Sequence, residues 1–283
     1  MQGWIKYDLT GGEKSITTDH PNNMSPQIRA GSDGSMIIAQ YRHDLDKIVI
    51  LNPKGGSCKT TLATNLASYY ALKGPLPTLL DCDRQGFSML WLEKRPPDRP
   101  PIHGIAAYKI TTNTTRSWHL RIPNESTRLI IDTPAALENS QIHDLIYDAS
   151  NIIIPILPSP IDIRHAARFI ADLMLESQIE RGNRRLAIVA NRTRANTRSL
   201  RQLMRFLTSL KVPLIAIFRN SQNFVQAAGL GLGIYEMPYH KARREIHDMS
   251  RVIAWLEKWQ APRKVSPALS PPVAQVLPSK PLH

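Results

Sequence analysis

The segment Pro53-Lys54-Gly55-Gly56-Ser57-Cys58-Lys59-Thr60-Thr61 follows the apolar run Lys47-Ile48-Val49-Ile50-Leu51 and opens a helical pattern from Leu62 onward. Residue types in this order suit one kind of chemistry. Glycines let successive main-chain N–H groups close around phosphate oxygens, and a helix N-terminus adds a favourable dipole. Lys59 is placed to reach the β- and γ-phosphates of a nucleotide, and the Thr60 hydroxyl to bind Mg²⁺. Three carboxylates stand at the ends of further apolar runs: Asp81 and Asp83 in Leu80-Asp81-Cys82-Asp83-Arg84-Gln85-Gly86, and Asp132 in Leu129-Ile130-Ile131-Asp132-Thr133-Pro134. Taken singly, Asp81 and Asp83 each read better as a polar strand end than as a functional group.

Positioning such groups requires strands that deliver loops to a common edge. Apolar runs at residues 47–51, 77–80, 128–131, 152–156, 186–189 and 214–217 read as buried strands. Helical patterns fall at 62–72, 139–148, 163–180, 197–210 and 241–259. Unbroken apolar strands separated by helices predict an α/β fold: a doubly wound, mostly parallel sheet covered on both faces. Open sheets of this kind bind ligands at the carboxyl ends of their strands, where the loop and carboxylates above all lie.

The pattern Lys54-Gly55-Gly56-x-x-Lys59-Thr60-Thr61 resembles the deviant Walker A motif of the ParA/MinD family of P-loop ATPases, whose extra lysine at the start of the loop is matched by Lys54. The segment at 81–86 resembles the family's Asp-x-Asp-Pro-Gln-Gly stretch, and 129–134 its Walker B strand. The resemblance implies a site for ATP and Mg²⁺ built from Gly55, Gly56, Ser57, Cys58, Lys59, Thr60 and Thr61. Asp132 would hold Mg²⁺ through water, with Thr60 and Asp81 completing or supporting the metal shell. Asp83 would orient the attacking water, and Lys54 would reach across a dimer interface to the partner's phosphate. Phosphoryl transfer depends on positioning and charge neutralisation, so these groups form a sufficient set for ATP hydrolysis. Asn191, Arg219 and Asn220 resemble by position the family's adenine-side contacts; as loop residues they serve equally as caps of the following helices.

One position departs from the motif. Cys58 stands where the family has Gly, and a side chain there adopts a left-handed backbone only at a cost. Either the side chain points away from the nucleotide and is tolerated, or it weakens ATP binding and leaves a scaffold that does not turn over. The helix N-terminus and Lys59 are expected to lower the thiol's pKa.

Of 283 residues, Lys+Arg 36 against Asp+Glu 23 leave a net charge of +13, which points to a polyanionic partner. Between Arg181 and Asn220 there are ten Lys/Arg and no Asp or Glu. Arg198, Arg201 and Arg205 recur at helical spacing opposite Leu200, Leu203, Leu207 and Leu210. With Arg192, Arg194 and Arg219 they read as a phosphate-tracking surface, without a motif for reading bases. ParA-type relatives bind DNA nonspecifically through the corresponding region. The resemblance thus implies an ATP-bound homodimer on nonspecific DNA that positions a plasmid, chromosome or protein compartment. A ParB-like or cargo-adaptor protein would stimulate its slow hydrolysis.

MinD-like membrane attachment is the runner-up. It is disfavoured because Ile246, Met249, Ile253, Leu256 and Trp259 in the last helix are spaced to pack on a core. Lys241, Arg243 and Arg244 add a second basic cluster at that helix's start.

Two cysteines cannot build a disulfide framework or a four-ligand zinc site. No apolar run reaches the roughly 18 residues of a membrane span, and Met1 to Leu9 lack a secretory pattern. The expectation is a cytoplasmic, nucleoid-associated protein in three parts: a polar extension at 1–45, expected to be disordered; an ATPase domain at 46–260; and a Pro-rich, flexible tail at 261–283.

Overall fold

The computed structural model describes residues 45–109, 122–147, 149–176, 185–194, 197–210 and 212–258. The proposed extension, apart from Leu45, and the Pro-rich tail lie outside these residues, as do Trp259 and the side chain of Leu210. Seven strands form one sheet: β1 (Asp46–Ile50), β2 (Pro77–Asp81), β3 (His103–Ala106), β4 (Arg128–Asp132), β5 (Asn151–Ile156), β6 (Arg185–Thr193) and β7 (Leu214–Arg219). Their order is β3-β2-β4-β1-β5-β6-β7 and every pairing is parallel. Parallel strands need crossovers, and helices supply them: α1 (Lys59–Leu72), α2 (Phe87–Glu93), α3 (Asn139–Ile146), α4 (Pro160–Glu176), α5 (Arg198–Leu210), α6 (Gln222–Gly229) and α7 (Tyr239–Glu257).

Alternation along the strands builds two cores. Val49, Leu51, Ile131, Ile152, Ile154 and Ile188 meet Ile142 and Leu145 of α3, Ile163 and Ile170 of α4, and Leu203 and Leu207 of α5. Ile48, Ile50, Ile130, Ile153 and Val189 point the other way, onto Leu62 and Leu66 of α1, Trp91 of α2, and Met249, Val252 and Leu256 of α7. Burial on both faces explains why the strands read as continuous apolar runs. The expected packing of the last helix holds for Met249, Ile253 and Leu256, while Ile246 is partly buried.

The chain leaves β1 for β2 on one side of the sheet and later crosses from β4 to β5 on the other. The strand order therefore reverses around β1, and the loop after β1 opens at that switch point. Register brings the strand-end carboxylates together: Asp81 of β2 lies opposite Asp132 of β4, and Asp132 opposite Ile50 of β1. At the opposite edge Arg128 pairs with Asp46 and stacks on Tyr70, 4.2 Å from the ring centroid, closing the base of the sheet.

Candidate functional site

The backbone of residues 54–58 turns sharply so that α1 starts at Lys59. Cys58 is its N-cap, in the left-handed region at φ 69° and ψ 34°, and its carbonyl accepts the N–H of Leu62 at 3.2 Å. The departure from Gly thus falls where a left-handed residue is required, at a cost of about 1–2 kcal/mol. Cys58 Sγ lies 3.7 Å from the Gly56 carbonyl, and the Arg192 guanidinium stands beside it. The expected low thiol pKa is overturned: burial pushes the Cys58 thiol up, outweighing the pull of Arg192 and Lys59 in the other direction.

Both lysines have partners within the chain. Lys59 Nζ donates to the carbonyls of Asn52 (2.9 Å) and Lys54 (3.3 Å), folded into the space its own loop encloses. Burial pushes its ammonium pKa down, with Asp132 and Asp83 pulling it back up. Lys54 Nζ forms an ion pair with Asp162 in the first turn of α4. Ser159 holds Asp162 in turn: its hydroxyl donates to the carboxylate and accepts the Asp162 N–H at 3.1 Å. In the single chain the lysine expected to cross to a partner subunit is held in cis.

Asp132 is the electrostatic centre. Its Oδ2 accepts the hydroxyls of Thr60 (2.7 Å) and Ser88 (2.8 Å), while Oδ1 is buried without a hydrogen-bond partner. Burial, the largest cause, pushes the Asp132 carboxyl up to about 7, although both hydroxyls and Lys59 favour its charged form. A buried, half-satisfied carboxylate joined to a P-loop threonine fits a hard divalent cation with oxygen ligands, such as Mg²⁺. Thr60 and Asp132 would hold that ion, which would neutralise charge on the transferring phosphate. Among the described residues no group of three or more His, Cys, Asp or Glu side chains could hold a metal by itself.

Asp81 has a different environment. One oxygen accepts the N–H of Asp83 (3.0 Å) and the other those of Ser88 (3.1 Å) and Met89 (3.2 Å). It therefore fixes the β2–α2 turn and the start of α2, and through Ser88 it positions Asp132. Burial still pushes its carboxyl up to about 6. Asp83 is half-buried near Lys59, one oxygen accepting the N–H of Gln85 at 3.0 Å. The turn closes on Gly86 at φ 65°, where an added Cβ would meet the Tyr108 hydroxyl at 2.7 Å.

The remaining sequence candidates divide. Asn191 is buried at the end of β6, its amide donating to the Ser57 carbonyl at 3.5 Å and its oxygen accepting the Arg192 N–H at 2.8 Å. It ties the strand to the loop and does not cap the next helix. Arg192, left-handed at φ 49°, is turned to Cys58. Arg219 pairs with Asp248 at 3.6 Å, and Asn220 is exposed beside it. Arg194, Arg198, Arg201 and Arg205 are all exposed, and the last three with Gln202 line a cleft of about 470 Å³ on α5. Arg185, counted with this basic run, instead donates to the Trp255 carbonyl at 2.8 Å and stacks on its ring.

Sequence reasoning missed Ser88 and Asp162. Ser88 lies just past Gly86, at the start of a helix too short to show a period. Asp162 follows Ser159 by three residues beside Pro160, a helix-start pattern that could have flagged α4's first turn.

The chain is 27% identical over 185 residues to maintenance of carboxysome distribution protein A of Halothiobacillus neapolitanus, covering 62% of this chain and 82% of that one. It is 27% identical over 219 residues to the protein of the same name from Gloeobacter kilaueensis, covering 75% and 94%. Among solved structures, an McdA–ATP complex from Cyanothece superposes with a TM-score of 0.56 at 14% identity, over 77% of this chain and 98% of that one. The cell division protein MinD of Aquifex aeolicus also gives 0.56, at 18% identity, over 77% and 99%. A model of the CobQ/CobB/MinD/ParA nucleotide binding domain matches residues 48–234, so a loop, a hydroxyl and a buried carboxylate gathered at the switch point find their family: the chain belongs to it.

Proposed function

We propose that this protein is an ATP-driven positioning switch: ATP and Mg²⁺ join two copies into a dimer, the dimer holds nonspecific DNA, and slow hydrolysis releases it. The observation that carries the reading is the contact of Thr60 with Asp132, whose second oxygen is buried without a partner, at the mouth of a loop bearing both Lys54 and Lys59. Asp83, beside Lys59, orients the attacking water. Lys54 exchanges Asp162 for the phosphate of the facing copy's nucleotide. A cargo-adaptor protein stimulates hydrolysis and sets the direction of movement. The carboxysome-distribution relatives favour a protein compartment as cargo over a plasmid or chromosome. Arg194, Arg198, Arg201 and Arg205 supply the phosphate contacts, which keeps the protein on the nucleoid. The apolar side of α7 is spent on the core, which favours DNA over a membrane as the surface.

The test is retention on nonspecific duplex DNA with ATP, with ADP and at rising salt. Lys59→Ala is expected to abolish nucleotide binding. Asp83→Ala is expected to bind ATP, fail to hydrolyse it and stay on DNA. An Asp83→Ala protein that stays monomeric and unbound with ATP refutes the switch.

A further inference from the structure

A second cleft, of about 390 Å³, runs along α4 and is lined by Pro53, Arg164, His165, Arg168, Phe169 and Asp172. Its cations were not evident in the sequence because Arg164 and Arg168 lie outside the acid-free run, and Asp162 and Asp172 bracket them. The fold takes Asp162 off this face, while Asp172 stays exposed in the cleft one turn beyond Arg168. Asp162 turns inward to Lys54 with its side chain 9% exposed, while Arg164, His165 and Arg168 face outward. Ile163, Ala166 and Ile170 take the buried side of the helix. Arg164 and Arg168 are thus stacked about one helical turn, roughly 6 Å, apart on a single exposed face. Among the described residues neither has a carboxylate within ion-pair distance, and neither do Arg198, Arg201 and Arg205 of α5. Guanidinium groups left without a carboxylate partner on two neighbouring helices point to a common anionic partner.

The helices that carry the two rows are neighbours. α4 and α5 pack against each other on the same side of the sheet and share one core. The α4 cleft includes Pro53, the residue before Lys54, so it reaches the loop of the candidate site. Guanidinium groups one turn apart on rigid helices suit phosphates of a backbone and carry no base-reading geometry. We propose that α4 is a second arm of the DNA-tracking surface, with Arg164 and Arg168 each taking a backbone phosphate of the duplex that crosses α5. This rests on the DNA-binding reading above.

The experiment compares the full-length wild type, Arg164→Ala/Arg168→Ala, Arg164→Lys/Arg168→Lys and Arg198→Ala/Arg201→Ala/Arg205→Ala. Each is bound to nonspecific duplex DNA with Mg²⁺ and a hydrolysis-resistant ATP analogue. The expected result is retention at least tenfold weaker for the α4 alanine pair. Its log–log salt slope should be shallower by about 0.9 for each phosphate lost, so by about two to four as one or both subunits engage. Lysines should restore most of the retention, and light scattering should report an unchanged dimer. Wild-type affinity and slope in the alanine pair overturn the inference. So does loss of its dimer, which would make this face a contact between copies. If the α5 triple variant is released while the α4 pair behaves as wild type, the inference alone fails; if the wild type is not retained at all, the DNA-binding reading fails with it.

Discussion

Asp132→Asn should stabilise the nucleotide-free protein at high pH and not at low pH. The carboxyl titrates at about 7 in the fold against an ordinary 3.8. Between those values the unfolded chain has lost the proton and the native chain still binds it. Stability supplied by the protonated carboxyl is therefore full below about pH 4, falls as pH rises, and is flat above about 7. From pH 5 to pH 8 the wild type is expected to lose about 3 kcal/mol at this residue alone. The asparagine has no proton to lose. It can still accept Thr60 and Ser88 through its oxygen, but its NH₂ takes the place of the unpartnered Oδ1, at a pH-independent cost of about 1–3 kcal/mol. Asp81 and Asp46, also pushed up by burial, change stability in the same direction but are common to both proteins.

The assay is thermal unfolding of wild type and Asp132→Asn without nucleotide or Mg²⁺, at pH 5 and pH 8. For a domain of this size about 3 kcal/mol corresponds to roughly 6–12 °C. The difference in Tm, variant minus wild type, should therefore rise by that amount between the two pH values. The variant should at the same time lose Mg²⁺-dependent ATP hydrolysis. A difference in Tm that stays constant with pH refutes the reasoning, because Asp132 would then be ionised at both, in a site far better solvated than its surroundings imply.

Three further outcomes are expected. Cys58→Gly should raise stability by about 1 kcal/mol, read by urea unfolding, because it relieves the left-handed strain at φ 69°; no gain means the loop relaxes around the thiol. Alkylation by iodoacetamide at pH 7.5 should be slower at Cys58 than for free cysteine, with Cys82 inert, as burial raises both thiols; mass spectrometry showing fast labelling at Cys58 contradicts this. Asp162→Asn should release Lys54 from its hold in cis and lower the analogue concentration needed for dimerisation, read by light scattering; an unchanged midpoint means the pair does not compete with nucleotide.

The sheet was legible because its strands are buried on both faces and therefore run apolar without interruption, as in Asn151–Ile156. Three elements escaped notice. β3 is four residues with Gly in its second position, and α2 is seven residues too short to establish a period. α6 buries only Ala227, so its sequence carries almost no apolar stripe. α4 starts at Pro160 and not at 163 because proline is tolerated in a helix's first turn, where its missing N–H has no intrahelical partner. At the site, loop and carboxylates were readable because their chemistry dictates residue type at fixed spacing. Which cations are free was not readable, since it depends on tertiary partners. Arg185, Arg192 and Arg219 are engaged by Trp255, Cys58 and Asp248, while Arg164 and Arg168 have no ion-pair partner among the described residues despite nearby acids in sequence.

The same partners explain how a loop proposed to hold a triphosphate stays folded by itself. Lys59 is satisfied by two carbonyls, Lys54 by Asp162 and Thr60 by Asp132, so nucleotide binding exchanges bonds and does not simply add them. The net gain is then the difference between charge-assisted contacts to phosphate and the internal contacts given up, which favours phosphate over neutral carbonyl acceptors. The backbone needs little rearrangement. Cys58 already holds its left-handed conformation, anchored by the Leu62 N–H, and Asn191 clasps Ser57 from β6. Side-chain exchange on a fixed backbone costs less ordering entropy than folding a loop around a ligand. Asp132 Oδ1 stands outside this exchange because it has nothing to give up. A cation there removes a standing electrostatic penalty, so loading of the site should be coupled to proton release from Asp132 and favoured as pH rises toward 7.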